Sequence, residues 1–162
     1  MKNLNTTLKI GLVGLLALMV VFGCKKSEVP YSAEQETAQI KQWVQTQVKN
    51  KIVVDSTSTG MYYVVNKPGT GAVVTDGDSV TVKYTGMFLN GGVFDSSTSF
   101  TFVHKAAGQR MIPGWEEGME LMSTGESAYF LIPSAKAYGT SGYATIPPYT
   151  PLLFLIEVIS IK

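Results

Sequence analysis

The chain has 162 residues, enough for one domain of ordinary size, and its 45% hydrophobic and 15% charged content supports a packed core and excludes wholesale disorder. Thirteen basic against 12 acidic residues leave a net charge of +1, too little concentrated positive charge for general nucleic-acid binding. One His and one Cys permit no intramolecular disulfide and fall short of the three or four ligands of a usual zinc site, so neither metal nor cofactor is expected.

Residues 1–23 differ from all that follows. Lys2 and Lys9 give a positive start, and Ile10 to Phe22 is apolar apart from Gly11 and Gly14. Those 13 residues are too few for a bilayer span, which needs about 20, and suit the core of a signal peptide. Val21-Phe22-Gly23-Cys24 then resembles the lipobox of bacterial lipoproteins, in which the Cys thiol takes a diacylglycerol and cleavage makes it the new N-terminus. The resemblance implies a membrane-anchored protein facing the periplasm or the cell exterior. Lys25, rather than the Asp that retains enterobacterial lipoproteins at the inner membrane, leans towards the outer membrane. Taking Lys2 and Lys9 from the 13 basic residues leaves 11 against 12 acidic, close to neutral.

Residues 24–31 read as a flexible tether and 32–54 as a helix with its linker. Ser32 stands three residues before Gln35, the spacing of a capping box, and Ile40, Trp43, Val44 and Val48 recur at helical intervals. The spacing predicts an amphipathic helix over 33–49 with a narrow apolar stripe. That stripe is expected to dock on the domain that follows; the other arrangement is a pairing with a protein partner or a second copy.

From 55 to 162 the pattern is one of strands and turns. Met61 to Val65 is a β-rich run ended by the Lys67-Pro68-Gly69 turn signal, and Val80, Val82 and Tyr84 alternate with polar residues. Asn90-Gly91-Gly92 marks a hairpin before Val93-Phe94-Asp95, and Phe100 and Phe102 alternate in a further short strand. Pro113-Gly114 opens a helix carrying Trp115, Met119 and Met122 on one face, with Gly125 beyond its end. Ala128 to Ile132 and Leu152 to Ile161 are apolar enough for central strands. About five antiparallel strands and one short helix predict an α+β domain, a sheet wrapped on the helix.

No nucleophile system suggests itself. His104, the only His, reads as a surface residue, and Glu116 and Glu117 are adjacent on a helix, where they point apart. Tyr84, Phe94, Phe100, Trp115, Tyr138 and Phe154 fall on separate elements and can converge on an apolar pocket with Asp95 as a polar member. A generic domain would use the same residues as ordinary core.

Five segments in order resemble the FKBP-type peptidyl-prolyl isomerases: Val82-Lys83-Tyr84-Thr85-Gly86; Gly92-Val93-Phe94-Asp95-Ser96-Ser97; Ile112-Pro113-Gly114-Trp115-Glu116-Glu117-Gly118; Ala137-Tyr138-Gly139; and Ile146-Pro147-Pro148 with the closing strand around Phe154. The resemblance covers about 55–162. It implies an enzyme that rotates X–Pro bonds in proline-containing polypeptides, without covalent chemistry. Tyr84, Phe94, Asp95, Ile112, Trp115, Tyr138 and Phe154 would be its catalytic set, and Phe100, Met111, Tyr143 and Ile146 would contact substrate. Trp115 would form the pocket floor, the Ile112 N–H would bind a substrate carbonyl, and the Tyr138 hydroxyl would reach the substrate. The segment between Ser97 and Phe100 is shorter than in small members and lacks the basic residue often found near Asp95. Tyr143 stands near where many members carry His, and Arg110 replaces an acidic or neutral residue before Met111-Ile112. A second reading keeps the pocket as a binding module or chaperone subunit, with the 33–49 helix as its partner-contacting surface.

Overall fold

The computed structural model describes residues 31–108 and 111–162. The expected signal peptide 1–23, the lipid-attachment residue Cys24, the tether up to residue 30 and Arg110 lie outside the described residues. Helix α1 spans Ala33–Lys49, and the Ser32 hydroxyl accepts the Gln35 N–H at 3.3 Å, satisfying one amide that a helix start leaves open. Glu34 and Glu36 in the first turn and Lys49 in the last complement the helix dipole.

Six strands follow in one antiparallel sheet: β1 (Asp55–Ser56), β2 (Tyr62–Lys67), β3 (Ser79–Phe88), β4 (Val93–Val103), β5 (Ser127–Ile132) and β6 (Leu152–Ile161), in the order β1-β2-β5-β6-β3-β4. The two continuously apolar segments, β5 and β6, are indeed interior strands. Their register pairs Ala128 with Ile156, Phe130 with Phe154 and Ile132 with Leu152, so one face is apolar throughout.

Helix α2 (Pro113–Met119) packs on that face. Gly114 makes the approach close enough: a Cβ there would stand 2.3 Å from Ile132 Cγ2. Trp115, Met119, Phe102, Phe130, Leu152 and Ile156 are buried in the core between helix and sheet.

Several expectations need correction. The residues at Val93-Phe94-Asp95 and at Phe100-Phe102 belong to one strand of 11 residues, kept continuous by pairing along β3. Helix α2 ends at Met119, and Met122 reaches the core from the turn beyond. His104 is 0% exposed, not a surface residue, because the end of β4 passes beneath α2 and the Asp76–Asp78 loop. Helix α1 lies against the domain, but a charged residue makes the tightest contact. Glu36, 9% exposed, accepts the Ser134 N–H at 2.5 Å and its hydroxyl at 2.6 Å, while Val48 of the apolar stripe stays exposed.

Candidate functional site

The alternation along β3 puts Val80, Val82, Tyr84 and Gly86 on the α2 side of the sheet. Strand β4 would not deliver Phe94, Asp95 and Phe100 to that side by alternation alone, since 95 and 100 differ in parity. Two irregularities in the β3–β4 register correct this. Val82 pairs with Phe100 but Tyr84 with Ser97, so β4 carries an extra residue between them, and Gly86 then faces Asp95. A second extra residue lies between the Gly86–Asp95 and Met87–Val93 pairs, which is where Phe94 sits.

The outcome is an aromatic cluster centred on Trp115, which is 2% exposed. Tyr84 lies 5.2 Å from it, Phe154 5.5 Å, Phe102 5.8 Å and Phe100 6.4 Å, centroid to centroid, all at steep interplanar angles. Phe94 meets Phe154 edge-on at 5.5 Å. Such edge-to-face pairs contribute about 0.5–1.5 kcal/mol each beyond area burial. Gly86 leaves the space in which Phe94 and Phe154 meet: a Cβ would fall 2.7 Å from Phe94 Cζ and 2.9 Å from Phe154 Cε1.

Polar groups are few and placed at the edge. The Tyr84 hydroxyl donates to Asp95 Oδ2 at 2.7 Å. Burial, then that hydrogen bond, push the Tyr84 hydroxyl well above the usual tyrosine range, so it stays a neutral donor. Tyr138 is raised by burial and then by the nearby Tyr143 and Asp95, which puts its hydroxyl in the same electrostatic neighbourhood. Its ring stacks on Tyr143 at 5.2 Å and 15°. The Ile112 carbonyl accepts the Trp115 N–H at 2.9 Å as α2 begins, while among the described residues its own N–H donates to nothing. The Trp115 indole N–H is likewise buried without a partner.

Of the expected residues, Tyr84, Phe94, Asp95, Phe100, Trp115 and Phe154 are thus brought together by ring contacts and one hydrogen bond. Met111, Ile112 and Tyr138 pack on the same core, half-buried, and Ile146 belongs to it. Tyr143 is 66% exposed; its ring meets the group through Tyr138, and its backbone exchanges two hydrogen bonds with Ile146. Phe88, Phe102 and Gly86 also shape the cluster; β3 alternation and the Phe100-Thr101-Phe102 spacing were the signals that could have added them. A separate groove of about 680 Å³ runs between α1 and the loops on either side, lined by Trp43, Phe88, Thr145 and Pro147 among others.

A family model for FKBP-type peptidyl-prolyl cis-trans isomerases matches residues 70–159. Over 109 residues, 67% of the chain, the protein is 40% identical to the FKBP-type peptidyl-prolyl cis-trans isomerase FkpA of Aeromonas hydrophila and 38% identical to the FKBP-type 22 kDa isomerase of Escherichia coli. The matched regions span 41% and 53% of those two proteins, so the likeness concerns about half their length. The crystal structure of FkpA from Escherichia coli superposes with a TM-score of 0.70 at 33% identity, covering 80% of this chain and 61% of that one. A peptidyl-prolyl isomerase structure from Pseudomonas syringae gives 0.69 at 30% identity, covering 81% of this chain and 96% of that one.

Proposed function

The chain belongs to the FKBP-type peptidyl-prolyl cis-trans isomerase family, and on that premise we propose that it accelerates rotation about X–Pro bonds in proline-containing polypeptides outside the cytoplasm. The observation that carries this is the Trp115-centred aromatic cluster with the Tyr84–Asp95 pair at its edge.

X–Pro rotation breaks no covalent bond. Its barrier of about 18–20 kcal/mol is largely lost amide resonance. The planar amide is more polar than the twisted transition state, so a dry aromatic wall disfavours the ground state more. Trp115 is the floor against which the proline ring packs, with Tyr84, Phe94, Phe100 and Phe154 as walls. The Ile112 N–H holds a substrate carbonyl, Met111 and Ile146 contact the neighbouring residues, and the Tyr138 hydroxyl orients the peptide, with Tyr143 stacked on its outer side. Asp95, tied by Tyr84, is a fixed polar wall and not a base. The uncatalysed step takes roughly 10–100 s, and each ~1.4 kcal/mol of selective stabilisation shortens it tenfold.

The sequence around Cys24 supports a lipid anchor, with two or three acyl chains holding the protein firmly to a membrane, the outer membrane in this reading. Clients are then exported polypeptides. Two measurements test the proposal: X–Pro isomerisation in a short peptide with and without a macrolide that fills FKBP-type pockets, and radiolabelled fatty acid incorporation into wild type and Cys24→Ser. Macrolide-sensitive acceleration, lost in Asp95→Ala and Phe94→Ala, is expected. A folded protein that binds macrolide without accelerating rotation would leave a proline-binding module instead, and label retained by Cys24→Ser would refute the anchor.

A further inference from the structure

Away from the aromatic cluster, three elements bring donor atoms to one place: the loop before β3 (Asp76), the end of β4 (His104) and the C-terminal end of α2 (Glu120). One ligand atom from each lies within 4.8 Å of the other two. Backbone bonds fix the arrangement, since the His104 N–H donates to the Asp78 carbonyl at 2.9 Å and the Gly77 N–H to the His104 carbonyl at 3.0 Å.

His104 is the informative member. It is fully buried, and neither ring nitrogen makes a hydrogen bond. A buried polar side chain without an aligned hydrogen bond is costly unless neighbouring charges or a bound group complete it. Nδ1 lies 2.7 Å from Glu116 Oε2, near enough for a charge contact although not aligned as a hydrogen bond. A carboxylate this near Nδ1 is the neighbour found in carboxylate–histidine–metal triads, where the other ring nitrogen is the ligand atom. Nε2 lies 3.7 Å from Asp76 Oδ1 and 3.9 Å from Glu120 Oε1, the two other members.

We propose that Asp76 and Glu120, with His104 Nε2, form a binding site for one first-row divalent cation, of which Zn²⁺ is the best match. Bonds of about 2.0–2.2 Å in a tetrahedral site hold ligand atoms roughly 3.4 Å apart, so the two Nε2 distances need to close by only a few tenths of an ångström. One imidazole and two carboxylates are a borderline donor set, which favours Zn²⁺ over Ca²⁺ or Mg²⁺. The count of one His and one Cys understates the chain's ligands, because carboxylates complete the set. Lys105 keeps the place meanwhile: its ammonium contacts Asp76 Oδ1 at 3.1 Å and Glu120 Oε1 more closely still. Those contacts raise its pKa, Glu120 foremost, and its half-exposed side chain is free to swing into solvent when a doubly charged ion arrives. A bound ion would join the loop, β4 and α2, the helix that carries Trp115.

The test is Co²⁺ titration of the full chain in detergent micelles, read by visible absorption, with Zn²⁺ as competitor and Cys24→Ser as background so that the thiol contributes nothing. One saturable site is expected, with Zn²⁺ displacing Co²⁺ and Mg²⁺ failing to. Asp76→Asn and Glu120→Gln, at solvent-accessible positions where folding is not at stake, should each weaken binding by about 10–100-fold. Lys105→Gln should tighten it several-fold, which diffuse attraction to surface acids would not do. His104 imidazole nitrogen shifts should move at one equivalent of Zn²⁺. The absence of saturable binding, wild-type affinity in Asp76→Asn and Glu120→Gln, or binding without a His104 shift would each overturn the site.

Discussion

Replacing Glu36 by Ala removes both bonds that fasten α1 to the domain, those to the Ser134 N–H and hydroxyl. Hydrogen bonds to a charged group contribute about 1.5–3 kcal/mol each. The loss should be about 3 kcal/mol, the low end of the two-bond range, because an undocked helix lets water reach Ser134. Gln keeps the shape but gives neutral bonds of about half the strength, for a loss of about 1.5 kcal/mol. The assay is urea unfolding followed by tryptophan fluorescence, since Trp43 on α1 and Trp115 on α2 are the only two tryptophans. Wild type should show one transition. In Glu36→Ala the Trp43 signal should change first, with Trp43→Phe isolating the domain's own transition. Ser134 also opens the short 3-10 turn Ser134–Lys136 that leads to Tyr138, so isomerase turnover should fall with the clamp. A Glu36→Ala protein within ~0.5 kcal/mol of wild type, with both tryptophans changing together, would refute the clamp.

Gly86→Ala should close the gap between Phe94 and Phe154, costing about 1–3 kcal/mol of stability through overpacking and at least tenfold in isomerase activity; unchanged turnover would separate the site from this cluster. Tyr84 has a folded pKa raised by burial and by Asp95, so its stabilisation is complete below the unfolded value of about 10 and is lost as pH rises through the folded value. Stability measured from pH 9 upward should therefore fall less steeply in Tyr84→Phe than in wild type. Glu117 is pulled the other way: burial opposes its ionisation, but hydrogen bonds from Lys136, Thr57 and Thr59 outweigh it and hold its pKa below the usual value. Its stabilisation is present above the unfolded pKa and lost as pH falls through the folded one. Wild type and Lys136→Met should differ at pH 7 and converge on acidification; a gap constant with pH would show that Lys136 acts by packing alone.

Much of this architecture is local information. Ser32 and Gln35 announce where α1 starts, the apolar runs at 128–132 and 152–161 mark interior strands, and Pro113-Gly114 opens α2, because caps, period and turn chemistry depend on near neighbours along the chain. Tyr84, Phe94, Asp95, Trp115 and Phe154 were legible too, through ordered motifs spread along the domain, whereas the parts of Phe88 and Phe102 in the cluster were not.

Placement was not local. Strand alternation sets Asp95 and Phe100 on opposite faces, and the extra residues that β4 carries against β3 bring both to Tyr84. Glu36 reads as an ordinary first-turn acid until Ser134, 98 residues away, arrives as its partner. His104 reads as a surface residue because nothing beside it in sequence buries it; Asp76, Glu116 and Glu120 reach it from other elements. Composition and spacing decide which elements form. Register shifts and long-range contacts depend on how those elements pair and pack, and they decide which side chains face one another.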